Sequence, residues 1–312
     1  MSASTAIATT AIAEPPQRPQ QYVGRFAPSP TGSLHLGSLV AALGSYADAR
    51  SQGGRWLVRM EDLDRARNVQ GAADRILRTL EVFGLHWDGG IEYQSERSRH
   101  YAQALDSLVA LGVTFECSCT RRERDRDSGY PGTCRAGPSR SGPTATRFRV
   151  DDVLVPIEDR LQGRCDFSLR ELSDVIIRRR DGGFAYQLAV VVDDAEQGVT
   201  DVVRGADLLD STAWQIALQR ALGLATPRYA HLPLLVEPGG EKLAKSKRSV
   251  PLEAPCAGRQ LYQALSLLRQ DPPATLELEP APVIVQWACR NWQPERLRGV
   301  REVEASVYET TV

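Results

Sequence analysis

Between Tyr22 and Leu111 the apolar positions switch between two spacings, and each switch predicts a new element. Tyr22–Ala27 reads as a short strand that the turn Pro28-Ser29-Pro30-Thr31-Gly32 cannot continue. From Gly37 to Arg50, Leu39, Val40, Leu43 and Tyr46 recur at helical spacing, which predicts a helix ended by Gly53-Gly54. Trp56–Met60 predicts a second strand, and Ala72–Phe83 and His100–Leu111 predict two more amphipathic helices. Strand, turn, helix, strand, helix is the order of an α/β fold with a doubly wound parallel sheet.

That regularity stops at residues 113–150, which carry three cysteines, the charged run Arg121–Asp127 and the Gly/Pro/Ser/Thr-rich stretch Gly137–Thr146. Strands return at Arg147–Val155 and Val175–Arg179, and the nearly continuous apolar run Gln187–Val192 predicts a central parallel strand. Helix Asp207–Leu222 and strand Tyr229–Leu235 follow, then helical patterning at Arg259–Arg269 and Val283–Cys289. The pattern therefore predicts a split Rossmann domain. The chain is expected to comprise a disordered leader at residues 1–20, the first half of that domain at 21–112, an inserted subdomain at 113–185, its second half at 186–250 and a short helical C-terminal region at 251–312.

A chain of 312 residues holds about two domains, enough for a core without disulfide staples. With 42% hydrophobic and 25% charged residues and no apolar run of membrane-spanning length, no membrane partner is expected. The leader, with one acid (Glu14) and one base (Arg18), lacks the features of an export signal, which predicts a cytoplasmic protein. A net charge of −1 excludes a global field that attracts nucleic acid, so any such contact is local. Arg178–Arg180 and Arg121–Arg126 are either phosphate contacts or solvated charge.

Only three of the 38 basic residues are lysine, and Lys242, Lys245 and Lys247 fall in one short segment. This is either a solvated basic loop or a place where compact ammonium groups, not flat guanidinium forks, meet phosphate oxygens. Cys117 and Cys119 flank a single residue, a spacing poor for a mutual disulfide and suited to a tetrahedral metal, with Cys134 as a third ligand. From the residues alone the fourth ligand stays open among Glu123, Asp125, Asp127, Tyr130 and water, and the alternative to a metal site is three unrelated thiols.

The string Gly24–Ser38 runs from a strand through a turn into a helix start, where backbone donors face an anion. His35 can donate to a phosphate oxygen as charge grows there, and Gly37 has no side chain to obstruct a base or ribose. These residues resemble the class I aminoacyl-tRNA synthetases of the glutamyl type. Arg25–Gly32 matches their Arg-Phe-Ala-Pro-Ser-Pro-Thr-Gly string without a break, and His35–Ser38 stands in place of the HIGH tetrad, with Ser38 at its last position. Arg59–Asp64 resembles their second-strand acidic motif, Asp193–Gly205 their substrate loop, and Lys242-Leu243-Ala244-Lys245-Ser246 the KMSKS motif, with Ala244 in place of a serine.

The resemblance implies ATP, with Mg²⁺, bound by His35, Gly37, Ser38, Lys242 and Lys245, of which His35 and Lys245 are catalytic. It implies L-glutamate bound by Arg25, Phe26, Ala27, Pro28, Ser29, Glu61, Tyr186 and Arg204. The stretch after Pro251 is shorter than the anticodon-binding domain of tRNA-charging members, so the resemblance narrows to a truncated branch. That branch passes glutamate to the queuosine base of tRNA(Asp), and its single structural Zn²⁺ set implies Cys117, Cys119, Tyr130 and Cys134 as ligands. A monomer is expected. The alternatives are a short glutamyl-tRNA synthetase that charges a tRNA 3′ end and a non-catalytic tRNA- or nucleotide-binding paralogue.

Overall fold

The first third of the chain runs in the predicted order. In the computed structural model, which describes residues 21–120, 123, 130–237 and 252–305, β1 (Val23–Phe26) leads to α1 (Leu36–Ser51) and β2 (Arg55–Met60). Then come α2 (Ala72–Val82), the short β3 (Glu92–Tyr93) and α3 (Ser98–Ala110). The strands lie parallel in the order β1, β2, β3, with Val23 opposite Arg55 and Arg59 opposite Glu92. Every residue of β1 is buried, and so is all of β2 after Arg55, as expected of parallel strands covered on both faces.

The next segment is antiparallel. β4 (Thr114–Cys117), β5 (Ala145–Phe148) and, later, β8 (Val175–Arg178) form one sheet in the order β4, β5, β8. Between them lie the hairpin β6 (Leu154–Asp159) and β7 (Gly163–Ser168) and the one-turn α4 (Leu169–Leu172). The strand predicted at Arg147–Val155 is thus two strands. β5 stops at Phe148, and the Val150 N–H turns to the Asp174 carboxylate at 2.9 Å before β6 begins.

A larger correction falls on Gln187–Val192. These residues are not a central strand but part of α5 (Tyr186–Glu196), in which Leu188–Asp194 are all buried. A helix enclosed on every side and a strand covered on both faces leave the same continuous apolar run, and so short a run cannot separate them. Gly198, at φ +66°, follows the helix. The central place passes to β9 (Asp201–Gly205), set beside β1 where the Thr200 N–H donates to the Val23 carbonyl and the Val23 N–H to Thr200 Oγ1, both at 2.9 Å. The expected loop Asp193–Gly205 is therefore the last turn of α5, a short connection and β9.

α6 (Leu209–Leu222) returns the chain to β10 (Arg228–Leu232), parallel to β9. Pro233, lacking an N–H, divides the predicted Tyr229–Leu235 strand into β10 and β11 (Leu234–Val236). The C-terminal region supplies α7 (Ala257–Leu267), α8 (Ala281–Asn291) and β12 (Glu302–Glu304), the last parallel to β11. Leu261, Leu265, Ile284 and Val285 share one core with α1, so α1 is enclosed by the sheet on one side and by α7 and α8 on the other. Gly44 allows the close approach to the sheet, since a Cβ there would lie 2.8 Å from Leu232 Cδ1. A second core joins α3, α5 and α6 through Tyr101, Leu105, Leu188, Val191, Ala213 and Ile216.

Candidate active site

At the end of β1 the turn Pro28–Gly32 carries the chain over the sheet edge to His35, the N-cap of α1. Extended backbone at His35 (φ −126°) turns its ring back over the helix start, where Nδ1 accepts the Ser38 N–H at 3.4 Å. In a neutral ring that contact leaves the proton on Nε2. Gly37 has a reason the sequence did not disclose: a Cβ there would meet the His35 ring at 3.1 Å. A cavity of about 530 Å³ opens over this helix start, lined by Ser29, Thr31, His35, Gly37 and Ser38 and, opposite, by Leu232–Leu235. Phe26 and Pro28 also line it. The N–H groups of a helix start and the helix dipole favour an anion there.

A smaller cavity of about 280 Å³ shares Ser29 and Thr31 with the first and is lined further by Glu61, Gln94, Arg179 and Tyr186. Behind it lies a dense charge network. Arg59 is fully buried and pairs with Asp194 at 2.8 Å, with Glu61 and Asp193 each at 3.6 Å, and donates to Gln197 at 2.6 Å. Arg25 contacts Asp194 at 3.3 Å. Asp193 also accepts from Gln94 at 2.8 Å, Arg97 at 2.7 Å and the Tyr101 hydroxyl at 2.9 Å. Burial opposes the charge of Asp194, but Arg25 and Arg59 hold its carboxyl below the usual range. Glu61 fares differently. Burial pushes it up to about 7 against the pull of Arg59 and Arg25, and its buried Oε1 has no hydrogen-bond partner.

Arg204, at the end of β9, is buried among neutral acceptors. Its Nη2 donates to Thr212 and to the Gln215 side-chain oxygen, both at 2.8 Å, its Nε to His231 Nε2 at 3.1 Å, and its Nη1 to the Tyr186 hydroxyl at 3.4 Å. Among the described residues no carboxylate lies within ion-pairing distance of Arg204, so its charge is oriented without being neutralised.

The cysteine prediction falls on one compact cluster. The sulfurs of Cys117, Cys119 and Cys134 lie within 4.8 Å of one another, with Cys119 and Cys134 at 3.5 Å. A tetrahedral zinc with Zn–S bonds of about 2.3 Å separates its sulfurs by about 3.8 Å, so the set fits such an ion. Burial alone would push the Cys134 thiol up, but N–H groups of Ser139 and Ser118 hold it down at about 5, a thiolate suited to ligation. Tyr130 is buried in the same small cluster, its oxygen accepting the Cys134 N–H at 2.7 Å, with the Arg147 guanidinium 3.8 Å over its ring.

Of the residues singled out in the sequence, Ser29, His35, Gly37, Ser38, Glu61 and Tyr186 line the two joined cavities. Arg25 and Arg204 are not among their lining residues; both are buried nearby. Ala27 lies between the lining residues Phe26 and Pro28. Lys242, Lys245, Lys247 and Ala244 lie outside the described residues, as do the leader and Asp125 and Asp127. Asp193, Asp194, Gln94, Asp159 and His231 were not assigned roles from sequence. The signal for them is polarity inside apolar runs, to which Asp193 and Asp194 add their place at the start of the motif Asp193–Gly205.

Residues 21–267 match the family described as tRNA synthetases class I (E and Q), catalytic domain. The chain is 52% identical over 278 residues to the glutamyl-Q tRNA(Asp) synthetase of Ectopseudomonas mendocina, covering 88% of this chain and 95% of that protein. It is 53% identical over 279 residues to the protein of the same name from Pseudomonas aeruginosa, again covering 88% and 95%. Among solved structures, the glutamate–tRNA synthetase of Elizabethkingia anophelis superposes with a TM-score of 0.77 at 24% identity, covering 92% of this chain and 68% of that one, a likeness of fold.

Proposed function

Because the chain belongs to the class I tRNA synthetases for glutamate and glutamine, we propose that it activates L-glutamate with ATP. It then transfers the glutamyl group to the queuosine base at the wobble position of tRNA(Asp). The observation that carries the reading is the junction of the two cavities at Ser29 and Thr31. A nucleotide seated on the start of α1 and an amino acid seated beside Glu61 would meet there.

In the first step a glutamate carboxylate oxygen attacks the α-phosphorus, the bond to the β-phosphate breaks and pyrophosphate leaves. Holding both reactants in line supplies much of the acceleration. His35, with a proton on Nε2, stabilises charge growing on the phosphate oxygens, with N–H groups of the helix start beside it. Lys242 and Lys245 would hold the leaving phosphates, whose charge Mg²⁺ bound with ATP would help to offset. Arg204, acting through and beside Tyr186, meets a carboxylate of the substrate, Glu61 its ammonium, and the chain from Phe26 to Ser29 forms the wall, with Arg25 buried behind it as a second cation. In the second step a hydroxyl of the queuosine cyclopentenediol attacks the acyl carbon, loses its proton and releases AMP.

Cys117, Cys119, Tyr130 and Cys134 would hold one zinc ion, which crosslinks an inserted subdomain at residues 113–185. Free thiols at all six cysteines support a reducing, cytoplasmic setting. Among the described residues no helix is long and apolar enough to cross a membrane.

The test is transfer of labelled glutamate to tRNA(Asp) with and without queuosine, and to queuosine-bearing tRNA lacking its 3′-terminal nucleotide. Transfer should require queuosine and survive loss of the 3′ nucleotide. The reverse pattern overturns the proposal in favour of ordinary charging of a tRNA 3′ end.

A further inference from the structure

We propose that Asp159 and His231 are positioning residues for the amino-acid substrate, acting through Arg204. This rests on the reading above, in which Arg204 meets a substrate carboxylate. Both side chains are completely buried, and His231 Nδ1 lies 2.6 Å from Asp159 Oδ2. The other oxygen, Oδ1, is taken by the N–H groups of Leu161 at 2.9 Å, Gln162 at 2.8 Å and His231 itself at 3.2 Å. Only Oδ2 is left for the imidazole, which places the ring proton on Nδ1 and leaves Nε2 as an acceptor for Arg204.

Burial, with the charges of Arg204 and Arg25, pushes His231 below the ordinary histidine range against the pull of Asp159. The groups facing the ring are Asp159 from β6, Arg204 from β9, Arg25 from β1, Thr212 from α6 and Tyr229 on its own strand, stacked at 6.1 Å. A neutral imidazole there has a specific advantage. It gives Nε of the guanidinium a directed acceptor, yet keeps the anion one ring away, so the charge on Nη1 stays available beside Tyr186. The anion is also contributed by the tip of the β6–β7 hairpin, where the Gln162 side chain donates to the His231 carbonyl at 2.8 Å. The docked hairpin thereby sets the acceptor that aims Arg204.

Glutamate-dependent ATP–pyrophosphate exchange tests this in the full-length protein. His231→Phe keeps an aromatic ring against Tyr229 but removes the acceptor. It should raise KM for glutamate about tenfold, with kcat and KM for ATP within about twofold. His231→Gln, which can still present an oxygen to Arg204, should raise that KM by less than about threefold. In an Arg204→Ala background His231→Phe should add nothing, because a residue that acts through Arg204 has no further route to the substrate. Unchanged KM in His231→Phe, or an undiminished effect in the Arg204→Ala background, overturns the inference. Arg204→Ala with an unchanged KM for glutamate instead overturns the underlying reading of Arg204. Should His231→Phe fail to fold, Asp159→Asn serves in its place, and an unchanged KM there is equally decisive against the inference.

Discussion

Glu61 shows how a single side chain takes its chemistry from its surroundings. On a strand end it is an ordinary acid; buried with one oxygen lacking a hydrogen bond, its carboxyl rises from 4.5 to about 7. Between those values the folded protein holds a proton that the unfolded chain has lost, so the contribution of Glu61 to stability is present at low pH and fades as pH rises through about 7. Substrate binding has the opposite sign. An ammonium needs the ionised carboxylate, so kcat/KM for glutamate should climb with pH and level off above about 7. Glu61→Gln should flatten that limb and lower kcat/KM on the order of 10- to 100-fold, as expected for a lost charged contact. A pH profile of exchange for both proteins checks this, and an unchanged limb in Glu61→Gln removes Glu61 from the ammonium site.

At the scale of elements, the antiparallel sheet β4–β5–β8 has little apolar packing of its own where it meets the cysteines. Cys117, Tyr130 and Cys134 form a separate small cluster, edged by Phe115 and Cys119 and apart from both main cores. Asp174 ties it down, accepting two bonds from Arg135 at 2.7 and 2.6 Å and one from the Val150 N–H. A metal bound by three sulfurs would supply the crosslink that such a cluster lacks. Metal analysis of protein prepared without chelators should find one zinc per chain, and Cys117→Ser should lose it. Hydrogen exchange should then quicken in β4, β5 and β8 while β1, β2, β9 and β10 keep their protection. Metal-free protein with full protection in these strands would contradict the assignment.

Across the whole molecule, Asp48 joins parts distant in sequence. Its buried carboxylate, on α1, accepts from the Tyr22 hydroxyl, from Arg160 at 2.7 and 2.9 Å and from the Trp292 indole at 3.0 Å. It thus links the entry to β1, the turn of the β6–β7 hairpin and the segment after α8. Asp48→Ala would strand the partly buried Arg160, whose remaining carboxylate is Asp201 at 3.5 Å, together with two buried donors. A loss of about 3 to 5 kcal/mol is expected. Denaturant unfolding followed by tryptophan fluorescence and by circular dichroism should show one coincident, destabilised transition. Separate transitions would mean that the C-terminal helices are not bound to the catalytic core as one unit.

The sequence by itself determined β1, α1, β2, α2 and α3, because each has a spacing that favours one element and, for all but β2, a Gly or Pro turn to end it. It also marked one wall of the larger cavity, since Phe26 to Ser38 are contiguous and a helix start needs no distant partner, whereas the facing wall at Leu232–Leu235 came only with the fold. It did not determine α5, whose enclosure on every side erased the periodicity that marks a helix. Only the tertiary structure decided that Asp193 and Asp194 anchor Arg97, Arg59 and Arg25, and that Asp159, His231 and Arg204 form a chain. These side chains come from separate elements, and a buried charge gains its partner only when those elements pack.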